Sequence, residues 1–586
     1  MNKFRTHNCG ELRKEHIGQT VKIAGWVQTI RDLGGLVFID VRDQYGITQI
    51  VTQGEGKLTD EVSRIPNEST VSITGTVRER SKETVNKNIG TGDIEVVLES
   101  CEVLGKRVRN LPFEVSGDNE IREDLRLQYR FLDLRSEKLH NNIMFRSKVI
   151  KTIRDAIEKL GFLDIQTPIL TSSSPEGARD YLVPSRIFPG EFYALPQAPQ
   201  IYKQLLMMSG FDRYYQIAPC FRDEDPRADR LPGEFYQLDL EMSFSGQEDV
   251  FNTVQTVINE TFEKLSDWKR DKPDYRRIPY KEAMLTYGTD KPDLRNPLVI
   301  KDVTEIFQNI EFNAFAGKTV RVINVPNSAN QPRSFFDNLG DYAIKELEAK
   351  GLAWVKVGEN MELSGPVAKF IDEKSKKEML KITGSKVNDS IFFIAESLKI
   401  AEKQAGAIRD EIARRLDLIE KETYRFCWIT DFPMYEPGEN GKIEFGHNPF
   451  SMPQGGIESL NSKEPLEILA HQYDLVCNGY EIASGAVRNH SPETMVKAFE
   501  LAGYSRETVE TRFPALFNAF HYGAPPHAGC APGIDRIIML LSHETNIRQI
   551  VAFPKNGKAR DLLMGAPSSV TKEQLRELHI KLDVKE

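Results

Sequence analysis

The sequence predicts a multidomain α/β protein with three parts: a small N-terminal β-barrel, an antiparallel sheet flanked by helices, and an α+β domain inserted into the second part. Three observations carry this. Five short strand patterns with polar or Gly-bearing turns fill residues 1–105. Two period-2 segments, RYYQIAPCFRDED (213–225) and EFYQLDLEMSF (234–244), read as an antiparallel pair around a charged loop. From about 296 to 420 two short strand patterns (VRVINV, LAWVKV) alternate with charged helical stretches, before strands of the earlier kind resume at 427–432 and 473–488.

At 586 residues the chain has room for roughly four domains. With 40% hydrophobic and 28% charged residues it can bury a sizeable core, which excludes wholesale disorder, a collagenous repeat and a disulfide scaffold. The net charge of −9 argues against indiscriminate nucleic-acid binding but leaves room for a local basic patch. Six cysteines without a CxxC pair fit a reducing compartment rather than zinc or disulfides. The first residues, MNKFRTHNCGELRKEH, lack the apolar stretch of a signal peptide, and no run approaches membrane-spanning length. A cytoplasmic protein with no membrane partner is the expectation.

The elements follow in order. The barrel strands are expected at 21–27, 36–42, 46–51, 70–77 and 93–98. In the second, Val37, Ile39 and Val41 share one face and Phe38, Asp40 and Arg42 the other. Phe38 and Arg42 on a wetter face suit single-stranded bases, although a half-buried Phe beside a solvated Arg is the commoner meaning of such a pair. A linker is expected at 106–123, then a helix carrying Met144, Ile150, Ile153, Ile157 and Leu160 and ended by Gly161. The strand 162–170 should lie at an edge, because Pro168 has no N–H to donate. Residues 199–208 and 399–421 read as helices.

Strand 234–244 is the most informative piece. Alternation puts Phe235, Gln237, Asp239 and Glu241 on one face and Tyr236, Leu238, Leu240, Met242 and Phe244 on the other. The polar face reads either as the floor of a ligand site or as a solvated sheet surface. The loop before it mixes Arg222, Arg227 and Arg230 with Asp223, Glu224, Asp225 and Asp229, groups suited to phosphate and to Mg²⁺. HAGCAPGIDRIIMLL (527–541) places Arg536 in the first turn of an apolar helix. No Walker loop and no GxGxxG after a strand is present, and no nucleophile has a partnered base. Cys220 reads as a structural thiol.

Together, SSSPEGARDYLVPSR (172–186), FYALPQAPQIYKQLLMMSGFDRYYQIAPCFRDED (192–225) and FPALFNAFHYGAPPHAGCAPGIDR (513–536) resemble the signature motifs of class II aminoacyl-tRNA synthetases, in the form found in bacterial-type aspartyl enzymes. The resemblance spans essentially the whole chain. It implies an OB-fold anticodon-binding domain at 1–105, a hinge at 106–123, a catalytic domain at 124–295 and 421–565, a bacterial-type insertion at 296–420 and a C-terminal extension at 566–586. It also implies a homodimer with Pro168 at the subunit interface, and a ligase that activates L-aspartate with ATP and transfers it to tRNA-Asp. Neither step needs an enzyme nucleophile; catalysis is positioning and charge stabilisation.

Carried over by motif, Arg222 clamps the α-phosphate and substrate carboxylate, with Asp223 and Glu224 on ATP and Phe235 under the adenine. Gly533, Ile534, Asp535 and Arg536 form the motif 3 side of the ATP site, and Asp474 with Glu481 holds Mg²⁺ on the phosphates. Arg222 and Arg536 are the expected catalytic pair. Arg488 and Lys203 take the aspartate side-chain carboxylate, with Gln200 and Asp239 nearby, while Glu176 and Gln237 serve the ammonium and His447 approaches from a loop. In the barrel Phe38 and Gln49 match anticodon positions, and Leu33 and Lys82 match positions that separate tRNA-Asp-specific enzymes from relaxed ones charging tRNA-Asn as well.

Three features depart from the family pattern. Motif 2 reads DRLPGEF, so Leu231 replaces a Gln and Gly233 is extra; Asn448 follows His447 where many relatives have a second His. Glu481 and Arg488 are seven apart, which needs a bulge, expected near Ser484–Gly485, to share a face. An asparaginyl-type ligase is disfavoured because an amide would not offset burying Arg488 and Lys203 together. The barrel argues against a tRNA-independent amide synthetase, and the presence of Arg222 and Arg536 against a silent nucleic-acid-binding protein.

Overall fold

The computed structural model describes residues 2–117, 120–173, 178–224, 230–271, 274–308, 312, 314–438 and 441–584. The chain forms two compact units, 1–143 with 561–565, and 144–560 with 566–586.

In the first unit β1 (Thr20–Asp32), β2 (Val37–Asp43), β3 (Gly46–Val51), β4 (Thr70–Glu79) and β5 (Ile94–Gly105) close into a barrel in the order β1-β2-β3-β5-β4, as the strand spacing predicts. Alternate residues of β1 and β2, among them Val21, Ile23, Val27, Val37, Ile39 and Val41, fill its interior. Phe38, Asp40 and Arg42 therefore face outward. A cluster around the buried Glu68 fixes this outer face: Glu68 accepts from Arg42 at 2.6 and 2.7 Å and from Arg135 at 3.0 Å, and the Arg135 guanidinium lies 5.1 Å from the Trp26 ring centre.

The second unit is built on an eight-stranded sheet. Its elements are α1 (Glu137–Lys159, entering from the first unit), β6 (Leu163–Asp164), α2 (Gln200–Met208), β7 (Arg213–Arg222), β8 (Gly233–Ser243), α3 (Gln247–Leu265), β9 (Arg276–Pro279), β10 (Phe426–Thr430), β11 (Gln472–Cys477), β12 (Tyr480–Val487), β13 (His527–Pro532) and α4 (Ile534–Leu541). The sheet order is β9-β10-β11-β12-β13-β8-β7-β6. The six central strands are antiparallel, as expected, but both edge pairs, β9 with β10 and β6 with β7, are parallel. The edge strand expected over 162–170 shrinks to Leu163–Asp164, with the chain leaving the ladder well before Pro168.

One sheet face packs on α3 and α4. Phe251 stacks on Trp428 at 4.0 Å between ring centres, and Leu238, Leu240 and Met242 join the same core. Tyr236 and Phe244, expected on that apolar face, are exposed instead; Phe244 leaves the strand with φ of +53°. Between β9 and β10 the chain builds a second sheet from Ile300–Asp302, Thr319–Val325, Ser390–Glu396, Ala353–Val357 and Leu363–Ser364, in that spatial order. The helix expected over 399–421 runs Leu398–Arg415. Its Gly406 meets the backbone at Gly288, where a Cβ on either glycine would lie within 2.4–2.8 Å of main-chain atoms.

Candidate active site

The polar face of β8 floors a site between the hairpin β11–β12 and the β13–α4 turn. Antiparallel pairing sets Gly233 against Arg222, so the guanidinium rises at the rim and lies 5.0 Å from the Phe235 ring centre. A cavity of about 90 Å³ is lined by Arg222, Glu224, Arg230, Phe235, Gln237, Glu481, Gly533 and Arg536. The bulge that brings β12 into this arrangement lies at Ile482, because Leu475 pairs with Ala483 and Val476 with Glu481. That places it two to three residues before the expected Ser484–Gly485. The bulged backbone is then used: Gly533 N–H donates to Ile482 O at 2.8 Å and Arg536 Nη1 to Glu481 O at 2.7 Å.

Deeper in lies a buried charge network. Lys203 Nζ, on α2, donates to Asp239 Oδ1 at 2.7 Å and lies 3.4 Å from Glu241 Oε2. Arg488, just past β12, donates through Nε and Nη2 to Glu241 at 2.9 and 3.2 Å. All four side chains are at most 3% exposed. Burial pushes Asp239 up despite Lys203. For Glu241 burial acts the same way, but Arg488 and Lys203 outweigh it and hold the carboxyl below its usual range. Gln200 Nε2, one helical turn from Lys203, is buried without a hydrogen-bond partner among the described residues, a cost that a ligand oxygen would remove.

Glu241 is the member of this network that sequence reasoning left unassigned, although its alternation with Asp239 placed it on the same face. Its carboxylate occupies one edge of Arg488 and leaves Nη1 for a ligand. Glu241→Gln should cost about 3–5 kcal/mol of stability by unbalancing a buried pair. Because the folded carboxyl titrates below 4.5, its stabilisation is complete above that value and disappears as pH falls through the folded pKa. Denaturant melts of both proteins should therefore converge in acid.

Asp474 lies on β11 opposite Ser484 and Glu481 on β12 opposite Val476, on either side of the Ile482 bulge. Burial, then the Glu481 charge, raises Asp474 to about 8. Two close carboxylates with phosphates to complete the shell suit Mg²⁺, which favours one or two carboxylates plus substrate oxygens. Lys291 Nζ lies 3.3 Å from Glu481 Oε2. His447 packs edge-on against Phe432 at 4.9 Å, and burial lowers its pKa. Asn448 closes a local turn through Oδ1, which accepts from the Phe450 N–H at 2.8 Å.

Other expected residues sit apart from the cavity or meet it only in part. Asp535 borders it, but its carboxylate is committed to Arg146 at 2.6 Å and to the Tyr236 N–H at 2.9 Å. Ile534 is wholly in the core. Asp223 reaches outward and bonds the Arg179 carbonyl through its N–H at 3.0 Å. Glu176 lies outside the described residues. Leu231 is 8% exposed and packs with the core, so the position is an apolar wall rather than a polar contact. Gly233 has φ of +84°, and a Cβ there would lie 2.8 Å from the Tyr181 hydroxyl and 2.9 Å from Lys555 Nζ.

On the barrel, Phe38 and the Asp40–Gln49 pair share the outer face, with Gln49 Nε2 3.4 Å from Asp40 Oδ1. Leu33 is 69% exposed at the tip of the β1–β2 turn, and Lys82 is exposed after β4.

Comparison with known proteins identifies the family and the fold. The model described as tRNA synthetases class II (D, K and N) matches residues 122–557, and that of the OB-fold nucleic acid binding domain matches 21–104. Aspartate--tRNA ligase of Streptomyces coelicolor is 54% identical over 581 residues, covering 99% of each chain. Aspartate--tRNA(Asp/Asn) ligase of Rickettsia bellii is 55% identical over 593 residues, covering 99% of this chain and 98% of the relative. A putative aspartyl-tRNA synthetase from Leishmania major Friedlin shares the fold, with a TM-score of 0.59 at 19% identity over 95% of each chain. The chain belongs to the class II tRNA synthetases of the aspartate, lysine and asparagine group and, within it, to the aspartate--tRNA ligase family.

Proposed function

We propose that the chain is an aspartate--tRNA ligase that forms aspartyl-adenylate from L-aspartate and ATP, then esterifies the 3′ end of tRNA-Asp. The observation that carries it is the pair of buried cations, Lys203 and Arg488, at the end of a site whose other end is Arg222, Phe235 and Arg536. Lys203 and Arg488 are paired with Asp239 and Glu241, but burial favours the neutral form of Asp239, and the resulting excess of positive charge in a dry pocket favours a carboxylate side chain over an amide.

In the first step a substrate α-carboxylate oxygen attacks the α-phosphorus, and the bond to the bridging oxygen breaks to release pyrophosphate. Arg222 orients the carboxylate and stabilises charge on the α-phosphate, Phe235 carries the adenine, and Arg536, fixed through the Glu481 carbonyl, faces the departing phosphates. Mg²⁺ held by Asp474 and Glu481 would neutralise phosphate charge. In the second step a ribose hydroxyl attacks the acyl carbon and AMP leaves with the bonding electrons.

Phe38 presents an aromatic face on the outer side of the barrel, suited to stacking on an anticodon base, and the largely buried Gln49 lies next to it with its amide on Asp40, from which it would hydrogen-bond a base edge. Exposed Leu163, Ile169, Leu170, Leu182 and Phe192 offer apolar surface to a second copy, consistent with a homodimer. No helix among the described residues is long and apolar enough to cross a membrane, and we place the enzyme in the cytoplasm.

Leu33 at an exposed turn tip offers no hydrogen bond to a wrong base, and with Lys82 it favours an enzyme restricted to tRNA-Asp. The Rickettsia relative, named for both tRNAs, supports the second reading, a ligase that also charges tRNA-Asn. Aminoacylation of matched tRNA-Asp and tRNA-Asn transcripts at one salt concentration separates them. The restricted reading expects kcat/KM for tRNA-Asn to be at least about tenfold lower, equivalent to 1.4 kcal/mol; comparable values would establish the dual enzyme.

A further inference from the structure

Lys291 lies outside every motif that points to the site, yet its ammonium is on Glu481, one of the two carboxylates read above as the metal site. Nζ is 3.3 Å from Glu481 Oε2 and 2.7 Å from Asp290 Oδ2. The placement is built rather than incidental. The Lys291 N–H donates to Thr289 Oγ1 at 3.1 Å, and Asp293 chelates Arg295 at 2.7–3.2 Å. The fully buried Arg409 then donates to the carbonyls of Asp293, Asn296 and Leu298 at 3.0, 3.0 and 2.6 Å. Arg409 belongs to the Leu398–Arg415 helix of the inserted domain, the helix whose Gly406 meets Gly288. The turn Asn478–Gly479 between the two carboxylate-bearing strands lies against the same segment, with a Cβ on Gly479 falling 3.5 Å from Asp293 Cβ. The inserted domain thus anchors the loop from which Lys291 reaches Glu481.

We propose that Lys291 is the resident counter-cation of Asp474 and Glu481: it holds Glu481 while no nucleotide is bound, a divalent cation must displace it to bind there, and it then pairs with a phosphate oxygen of ATP. The proposal rests on the reading of Asp474 and Glu481 as the metal-binding pair. Its physical basis is that a divalent ion on Glu481 and an ammonium at 3.3 Å from the same oxygen repel each other strongly in a partly desolvated site. Asp290 gives the ammonium a second anchor from which to swing. The arrangement discourages metal binding until triphosphate arrives with both the cation and a new partner for the lysine.

The test is a Mn²⁺ titration by electron paramagnetic resonance on the full-length wild type, Lys291→Met, Lys291→Gln and Lys291→Arg, each with and without Glu481→Gln, in the absence of nucleotide and with ATP. Without nucleotide, Lys291→Met and Lys291→Gln should bind Mn²⁺ about tenfold more tightly than wild type, while Lys291→Arg stays near wild type. Glu481→Gln should abolish the gain. With ATP, the Met and Gln variants should bind the nucleotide several-fold more weakly. Equal Mn²⁺ affinity in wild type and both neutral variants overturns the counter-cation role, even if Glu481→Gln still weakens binding with ATP. If Glu481→Gln changes Mn²⁺ binding in no background, the reading of the carboxylate pair fails, and the proposal with it.

Discussion

Arg488→Leu lowers kcat/KM for aspartate by about 2–5 kcal/mol, the range for truncating one partner of a buried charge pair, and leaves ATP affinity much less changed. The reason is local. Arg488 is 2% exposed, and Glu241 holds Nε and Nη2, so the side chain has one orientation in which to meet a ligand carboxylate. Leucine removes that contact and leaves Glu241 facing Lys203 alone, which disturbs the amino-acid end without touching Phe235 or Arg536. Pyrophosphate exchange at varied aspartate and saturating ATP reads the effect, with a thermal melt to confirm folding. Near-normal aspartate activation in a folded variant would contradict the assignment.

Arg222→Met should reduce the rate of adenylate formation by about 10²–10³-fold, the usual loss when one fixed donor to a developing charge is removed. Arg222 is half-buried at the end of β7, its guanidinium over the Phe235 ring, and among the described residues its side chain makes a long 3.4 Å bond from Nε to the Gln197 carbonyl. It is therefore oriented yet available to substrate, with more of its guanidinium uncommitted than Arg488, whose Nε and Nη2 are held by Glu241. Methionine keeps most of the stem and the packing on Phe235, so the fold should survive. Single-turnover formation of adenylate separates chemistry from binding: the account expects the rate to fall more than the affinities for ATP and aspartate. A variant that bound both weakly but reacted at the wild-type rate would make Arg222 a ground-state binder only.

The barrel was legible because its strands are short, alternate cleanly and are separated by turn residues. The floor of the site was legible for the same reason, since period 2 along 233–243 puts Phe235, Gln237, Asp239 and Glu241 together. Which of these would be a scaffold was not, because Glu241 acquires its role only when Arg488, 247 positions away, folds against it. The bulge was anticipated from the odd spacing of Glu481 and Arg488 but misplaced: glycine and serine signal backbone freedom, whereas the residue that bulges, Ile482, is held by core packing. The edge strand at 162–170 was overestimated because apolar alternation continues past the point where the ladder ends. Lys291 left no pattern at all. It reaches the site through a loop pinned by Arg409 from the inserted domain, and such a long-range anchor has no local signature.

The central claim, that two buried cations select a carboxylate side chain for activation by ATP, is tested most directly by amino-acid-dependent ATP–pyrophosphate exchange on the full-length wild-type protein. Aspartate should support exchange and asparagine, at equal concentration, should support it at least about 10²-fold less well, the discrimination expected when a buried charge is left without its partner. Equal exchange with asparagine, or none with aspartate in the presence of Mg²⁺ and ATP, would contradict the account.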